Sequence, residues 1–373
     1  MTKLTSALTG LVLGTALAGT AGEALADEPH KVFLSMSYIG NDWQAEAANM
    51  VKALASHPDY AERVDLQVQV AGPNAQRQIQ QINAMVQSGA DAIVVFPISP
   101  TALNNVVKSA CDKGVTIIAY DGEITEPCAY NVSIDQTEAG TVTAEWLVEQ
   151  IGGEGDILMI NGVPGTSVDA ARTAGAKEIF AQHEGIDIVG EANGMWSQAV
   201  ARTELSKMLA TRSWDDIDGL WMQAGCFTAN AMQLEAGKKP EELLPCAGEG
   251  SNGGRIQMLP PDTEVEGAAE PYAPLGAKRI SYASPPYSGA LALKLAVDIL
   301  EGEEVPSFTS LPLPVVTSDT VQLCESGTWE EMQAGCNAFL PSLVSNPGWF
   351  ASIFSEALPQ IGLNAALVGQ PED

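Results

Sequence analysis

Polar and aromatic side chains collect at the ends of short apolar runs in this sequence. Asn41, Asp42 and Trp43 follow the run KVFLSMS (31–37), and Asp121 closes VTIIAYD (115–121). Arg172 stands in GTSVDAARTAG after DILMIN, Trp196 in NGMWSQ after GIDIVGEA, and Gln223 closes GLWMQ. Glu249 and Asn252 lie in GEGSNGG after LLPCAG. Taken singly, an Asp at a strand end is more often a helix cap than a ligand, and a Trp is commonly a core residue. Taken together, these positions supply two indole faces, carboxylates, amides and one guanidinium. Vicinal hydroxyls pair with carboxylates and a forked guanidinium, and the C–H face of a sugar ring lies on an indole. The chemistry is that of a polyhydroxylated ligand.

Catalysis has weaker support. The three histidines, His30, His57 and His183, read as surface positions, and none stands beside a plausible nucleophile. A glycosidase-type carboxylate pair is defined by separation in space, so an exported carbohydrate hydrolase stays open as the alternative. No metal-ligand spacing appears, and neither a metal nor a cofactor is expected. GEGSNG (248–253) matches G-x-G-x-x-G after a strand, but Glu249 would put a negative charge in the phosphate cradle. The Pro pair in MLPPD also ends the following helix early, against a dinucleotide site.

The segments that carry these residues alternate in type. Strand candidates are 31–37, 64–70, 91–97, 115–121, 155–161, 185–192, 218–224 and 243–248. Helix-length segments such as 74–88, 101–113, 136–151, 168–183 and 198–211 lie between them. This alternation predicts an α/β protein with parallel sheets covered on both faces. Runs such as AIVVF and TIIAY are nearly continuous, as strands buried on both faces should be. Eight units exceed one ordinary doubly wound sheet, and AYNVSIDQTEAG (129–140) reads as a break. Two doubly wound lobes enclosing a cleft are therefore expected, with a closed eight-stranded barrel as the weaker option. The tail 319–373 departs from the alternation and reads as an extension on the second lobe, its last few residues unstructured.

The first 26 residues read as an export signal: Lys3, the apolar LTGLVLGTALAG, and Ala24-Leu25-Ala26 before the cut. The apolar stretch is too short and too rich in Gly and Thr to span a bilayer comfortably. The net charge of −29 is unaffected by cleavage, because Lys3 and Glu23 cancel, and it argues against nucleic acid as a partner. Six cysteines suit an oxidising compartment. Fifteen connectivities are open in principle; spacing favours Cys111–Cys128, Cys226–Cys246 and Cys324–Cys336. Each local bridge would contribute roughly 3 kcal/mol.

IGNDWQ, GADAIVVFPISPTAL, CDKGVTIIAYDG, GTSVDAARTAG, IDIVGEANGMW and YASPPYSGALALKLAVDILEG, in this order, resemble the ribose-binding-protein-like, type I sugar-binding proteins of bacterial ABC importers. The resemblance covers about residues 31–317. It implies a periplasmic, monomeric, non-enzymatic receptor that delivers a sugar or polyol to a permease, or alternatively reports to a chemosensory partner. It implies three crossings between lobes, near 134, 284 and 302. The segments would be 27–134 plus 285–302 for the N-terminal lobe, 135–284 plus 303–318 for the C-terminal lobe, and 319–373 for the extension. Carried over residue by residue, Asn41 would bind a hydroxyl, Trp43 would stack on the ring at the cleft mouth, and Asp121 would take a hydroxyl pair. Arg172 would fork to ring oxygen and hydroxyl, and Trp196 would close the other face. Gln44 stands where the ribose proteins have a second aromatic, Gly122 where they have Arg, and Ala224 where they have Asn. Gln223 is then a neighbour of that position, Glu249 replaces their cleft Asp, and Ser284 their hinge-side Gln. Asp42, Gln44, Asn252 and Ser284 complete the expected ligand set.

Overall fold

The apolar runs of this chain are sorted into two sheets by helices, several of which start at a side-chain cap. Asn41, Asn74, Asp135, Thr166 and Ser197 accept backbone N–H bonds at the starts of the helices Asp42–Ser56, Ala75–Gln87, Gln136–Gln150, Ser167–Phe180 and Gln198–Met208. The computed structural model describes residues 1–2, 28–269 and 272–372. The expected export signal therefore lies outside the described residues, Met1 and Thr2 excepted.

The first sheet contains β1 (His30–Met36), β2 (Val64–Val70), β3 (Ala92–Phe96), β4 (Thr116–Tyr120) and β5 (Tyr130–Ser133). The second contains β6 (Glu154–Asn161), β7 (Gly185–Asn193), β8 (Gly219–Met222), β9 (Cys246–Glu249) and β10 (Arg279–Tyr282). Two late strands join the edges: β11 (Phe308–Ser310) runs parallel to β5, and β12 (Val315–Thr317) antiparallel to β10. The orders are β11-β5-β4-β3-β1-β2 and β12-β10-β9-β8-β6-β7. Two separate sheets replace the closed barrel. Every residue of β3, and all of β4 after Thr116, is buried, the reason both read as unbroken apolar runs. Each order reverses once, between β1 and β3 and between β6 and β8, and ligands of open α/β sheets sit at that reversal, beyond the strand C-termini.

The chain passes between the sheets after β5, after β10 and between β11 and β12. The first passage lies at 134–153 and the second begins at 283. The third lies at 311–314, not near 302. The helix Ser288–Leu300 packs on β3 and β4, and β11 then adds to the edge of β5 in the first sheet. Three paired residues hold that edge, too short and polar a run to announce a strand.

The tail also differs from expectation: it packs on both lobes. The helix Leu363–Val368 lies against Asp42–Ser56 of the first lobe, where Asn49 Nδ2 donates to the carbonyls of Ala366 (3.1 Å) and Leu367 (3.2 Å). Phe339, Val344, Trp349 and Ile353 are buried in one cluster with Val51, Leu54 and Leu291. On the second lobe, Arg255 Nη1 donates to the Asn337 carbonyl at 2.8 Å. The final residues are tied down as far as Glu372, whose Oε1 accepts from Gly362 N (2.9 Å) and Ala365 N (3.1 Å). The segment is a strap across two lobes. The six sulfurs lie in the three local pairs, at 2.17 Å for Cys111–Cys128 and 2.05 Å for both Cys226–Cys246 and Cys324–Cys336.

Candidate functional site

Both lobes end their switch-point strands at one shared cavity. Asn41 follows β1 and caps the next helix, its Oδ1 accepting from Gln44 N at 3.1 Å. That start places Trp43 in the first turn, turned inward. Trp43 is only 5% exposed, 5.6 Å from Phe96 and 6.4 Å from Tyr120 between ring centroids, with the latter near-parallel. Its Nε1 donates to the Ser284 carbonyl at 2.7 Å, joining the first lobe to a crossing segment. The cleft-mouth position expected for Trp43 is thus corrected. It is a core residue of the first lobe with a face on the cavity.

Asp121 directly follows β4 in a left-handed conformation, φ 57°. Among the described residues the only other non-glycine positions with positive φ are Met195 and Trp196. Backbone strain of this kind gathers at functional sites, and here two of the three residues face the cavity. The Asp121 Oδ1 accepts from Gln136 Nε2 at 3.0 Å, and Gln136 Oε1 accepts from Arg172 Nε at 2.8 Å. Arg172 Nη2 donates to Ser284 Oγ at 2.8 Å, and the guanidinium carbon stands 5.0 Å from the Tyr282 ring centroid. Burial pushes the Asp121 carboxyl up from its ordinary value, opposed by the Arg172 charge and by hydrogen bonds from Ser284 and Gln136. Two of the five guanidinium N–H groups are engaged by Gln136 and Ser284, which fixes the plane of the fork and leaves three donors.

Trp196 approaches from the second lobe. Its Nε1 donates to Gln223 Oε1 at 2.8 Å, and Gln223 Nε2 donates to Asp169 Oδ1 at 2.9 Å. Gly162 permits this: a Cβ there would stand 2.2 Å from Trp196 Nε1 and 2.6 Å from Gln223 Oε1. Glu249, at the end of β9, is held by protein donors. Oε1 accepts from Gln198 Nε2 and Ser251 Oγ, each at 3.0 Å, and Oε2 from Gly225 N at 3.0 Å. Arg279 stands 3.4 Å behind it. A carboxylate has about four acceptor positions, so little of Glu249 remains for a ligand.

The space at their meeting point is small, with ≈ 40 Å³ open to the centres of water-sized molecules. Asn41, Trp43, Gln44, Asp121, Arg172, Trp196, Gln223, Glu249 and Ser284 line it. Asp42 and Asn252 do not. Asp42 Oδ1 accepts from Asn346 Nδ2 of the strap at 2.7 Å, and Gly348 leaves room for it, since a Cβ there would lie 2.2 Å from Asp42 Oδ2. Asn252 pairs with the backbone of Phe339, donating to its carbonyl at 2.9 Å and accepting from its N–H at 2.7 Å. Both residues hold the strap.

Sequence reasoning missed three participants. Gln136 links Asp121 to Arg172 from inside a helix start, where only its place beside a crossing hints at it. Tyr282 ends β10, a four-residue strand with no pattern of its own. Phe350 reaches the cavity from the strap. The lobes touch around the space: Asn41 Nδ2 donates to the Trp196 carbonyl (3.2 Å), and Glu123 N to Ser167 Oγ (3.0 Å).

Comparison with known proteins gives a consistent picture. The family model described as periplasmic binding protein domain matches residues 32–304. The chain is 24% identical over 289 residues to a xylitol-binding protein of Mycolicibacterium smegmatis, covering 76% of each chain. Among solved structures, a galactofuranose-binding protein superposes with a TM-score of 0.68 at 19% identity, covering 86% of this chain and all of the other. A solute-binding protein of Bacillus halodurans with bound myo-inositol has a TM-score of 0.66 at 20% identity, covering 79% and 96%.

Proposed function

The chain belongs to the periplasmic binding protein domain family, and from that premise we propose that it captures one sugar or polyol in the cavity between its lobes and passes it to an ABC permease. One observation carries the reading. A buried carboxylate, a guanidinium and two indoles, from separate lobes, meet around one cavity. Asp121 and Arg172 suit adjacent hydroxyls through charge-assisted bonds. Trp43 and Trp196 offer apolar faces to C–H groups.

The relatives support the same class, being named for xylitol and galactofuranose or solved with myo-inositol. They are binding proteins, and binding without turnover is proposed here. The buried hydrogen bonds that hold Glu249 and Asp121 in place speak against a mobile acid and base. Segment 1–26 is proposed as the export signal, and the three cysteine pairs as structural disulfides in an oxidising compartment. A peptide map of unreduced protein should then yield linked 111–128, 226–246 and 324–336 fragments; free thiols or crossed pairs would remove that proposal.

The deciding experiment is a thermal-shift screen over pentoses, hexoses, polyols and sugar acids, followed by calorimetry and a turnover assay on each hit. Saturable 1:1 binding, with the ligand recovered unchanged, is expected. Steady consumption of a glycoside would favour the hydrolase instead, and no shift from any member of the panel would remove the sugar reading.

A further inference from the structure

The strap does more than join two lobes, because Phe350 belongs to two spaces at once. It lines the cavity, and it also lines a neighbouring cleft whose rim includes Gly40, Gln198 and Gly348. Asn41 and Trp196 are the other residues common to both. Asn41 Nδ2 and the Trp196 carbonyl are bonded across the lobes at 3.2 Å, so the partition between the two spaces is that contact plus the Phe350 ring.

The backbone that carries the ring is held from both sides. Phe350 N donates to Glu46 Oε1 of the first lobe at 2.8 Å, and Phe350 pairs with Ser251 of the second lobe in an isolated antiparallel bridge. The bonds of that bridge come from the flanking residues: Asn252 N donates to the Trp349 carbonyl at 2.6 Å, and Ala351 N to the Gly250 carbonyl at 3.1 Å. Trp349 and Ala351 are buried on either side. An aromatic ring on a backbone segment fixed by these three hydrogen bonds is a wall with little freedom to step aside. This wall lies beyond residues 32–304, the part matched by the family model.

We propose that Phe350 is a specificity-determining residue that sets the length of the ligand, an inference resting on the sugar or polyol reading of the cavity. Its ring closes the cavity around a single ring or short polyol and refuses a substituent that would have to run on into the neighbouring cleft. Without the ring, the two spaces would join, and a glycoside carrying a second unit would have somewhere to put it.

The test compares native protein, Phe350→Ala and Phe350→Leu by calorimetry. The probes are D-xylose, D-ribose, xylitol and myo-inositol, with methyl β-D-xyloside and xylobiose as extended forms. The expected result is that native protein prefers the free form of a sugar. Phe350→Ala should then narrow the ratio of extended to free affinity by roughly tenfold or more, the scale on which apolar pockets discriminate by size. Phe350→Leu should move the ratio the same way by less, and it keeps an apolar side chain in place should the alanine variant fold poorly. Equal losses for free and extended probes would mean that Phe350 only supports the fold, and the proposal would be overturned. If native protein binds none of these probes, the wall is judged without ligand. Acrylamide quenching assigned to Trp43, by difference from a Trp43→Phe background, should rise in Phe350→Ala if the ring seals the cavity. Unchanged quenching overturns the wall itself.

Discussion

The two ends of the cavity are built from different materials. At the hinge end, Asp121, Gln136, Arg172 and Ser284 are each no more than 6% exposed and form one hydrogen-bonded set beside two of the crossings. At the outer end stand Asn41, Trp196 and the strap's Phe350, all half-buried and touching across lobes. The hinge end resembles a preformed polar socket, whose charges were desolvated when the protein folded and are already oriented. The outer end resembles a closure, assembled where the two lobes and the strap meet. Affinity should therefore be concentrated at the first, and selection by size at the second.

The largest effect belongs to the socket. Arg172→Ala removes charge-assisted bonds that no neighbour replaces and should weaken ligand binding by roughly 2–4 kcal/mol. It also strips Asp121 of the cation that opposes its burial, so the unliganded protein should lose stability as well. The sign follows from the raised Asp121 pKa, which loss of Arg172 would raise further. A group whose folded pKa is raised contributes stability at low pH that is lost as pH rises through that pKa. The melting-temperature gap between native and variant should then widen from acid toward neutral pH. A gap constant with pH, or near-native affinity, would break the contrast between the two ends.

Next come the two indoles, which sharpen it. Trp43→Ala should weaken binding by roughly 1–3 kcal/mol through the lost apolar face. Because Trp43 packs on Phe96 and Tyr120, it should also destabilise the unliganded fold by about 3–5 kcal/mol. Trp196→Ala should cost binding about 0.5–1.5 kcal/mol with a far smaller drop in melting temperature. Chemical denaturation of both variants, read beside their affinities, checks this; equal stability losses would erase the distinction between socket and closure.

The smallest effect on binding is expected at Glu46, which holds the strap from behind the cavity. Burial raises its pKa well above the ordinary value, against the Phe350 N–H that lowers it, with Asp42 raising it further. Native stability from this group is lost as pH rises through the raised pKa. Glu46→Gln keeps an acceptor for Phe350 and removes the charge, so it should melt higher than native protein near neutral pH, with the difference fading on acidification. Melting curves that run parallel across pH would show that Glu46 is not the titrating group.

The same contrast explains what the sequence disclosed. The strands β3 and β4 are legible because burial on both faces leaves unbroken apolar runs, and Asp121, Arg172 and Trp196 are legible because they follow such runs. Asp42 and Asn252 looked equivalent to them. Their actual partners, Asn346 and Phe339, lie 304 and 87 residues away in the strap, and nothing local records those pairings. Phe350 was invisible for the same reason. The strap has no long period: its apolar residues are spaced by Gly and Pro, and their burial follows from the surface they meet. Gln136 was hidden differently, since an amide in a first helical turn is ordinary until Asp121 and Arg172 are seen on either side of it.

The most direct test of the central claim is a crystal structure grown with the sugar or polyol that raises the melting temperature most. One molecule should occupy the cavity between Trp43 and Trp196, with neighbouring oxygens on Asp121 and Arg172 and its far end stopped at Phe350. A ligand seated elsewhere, or an occupied cavity in which Arg172 makes no contact with it, would contradict the account.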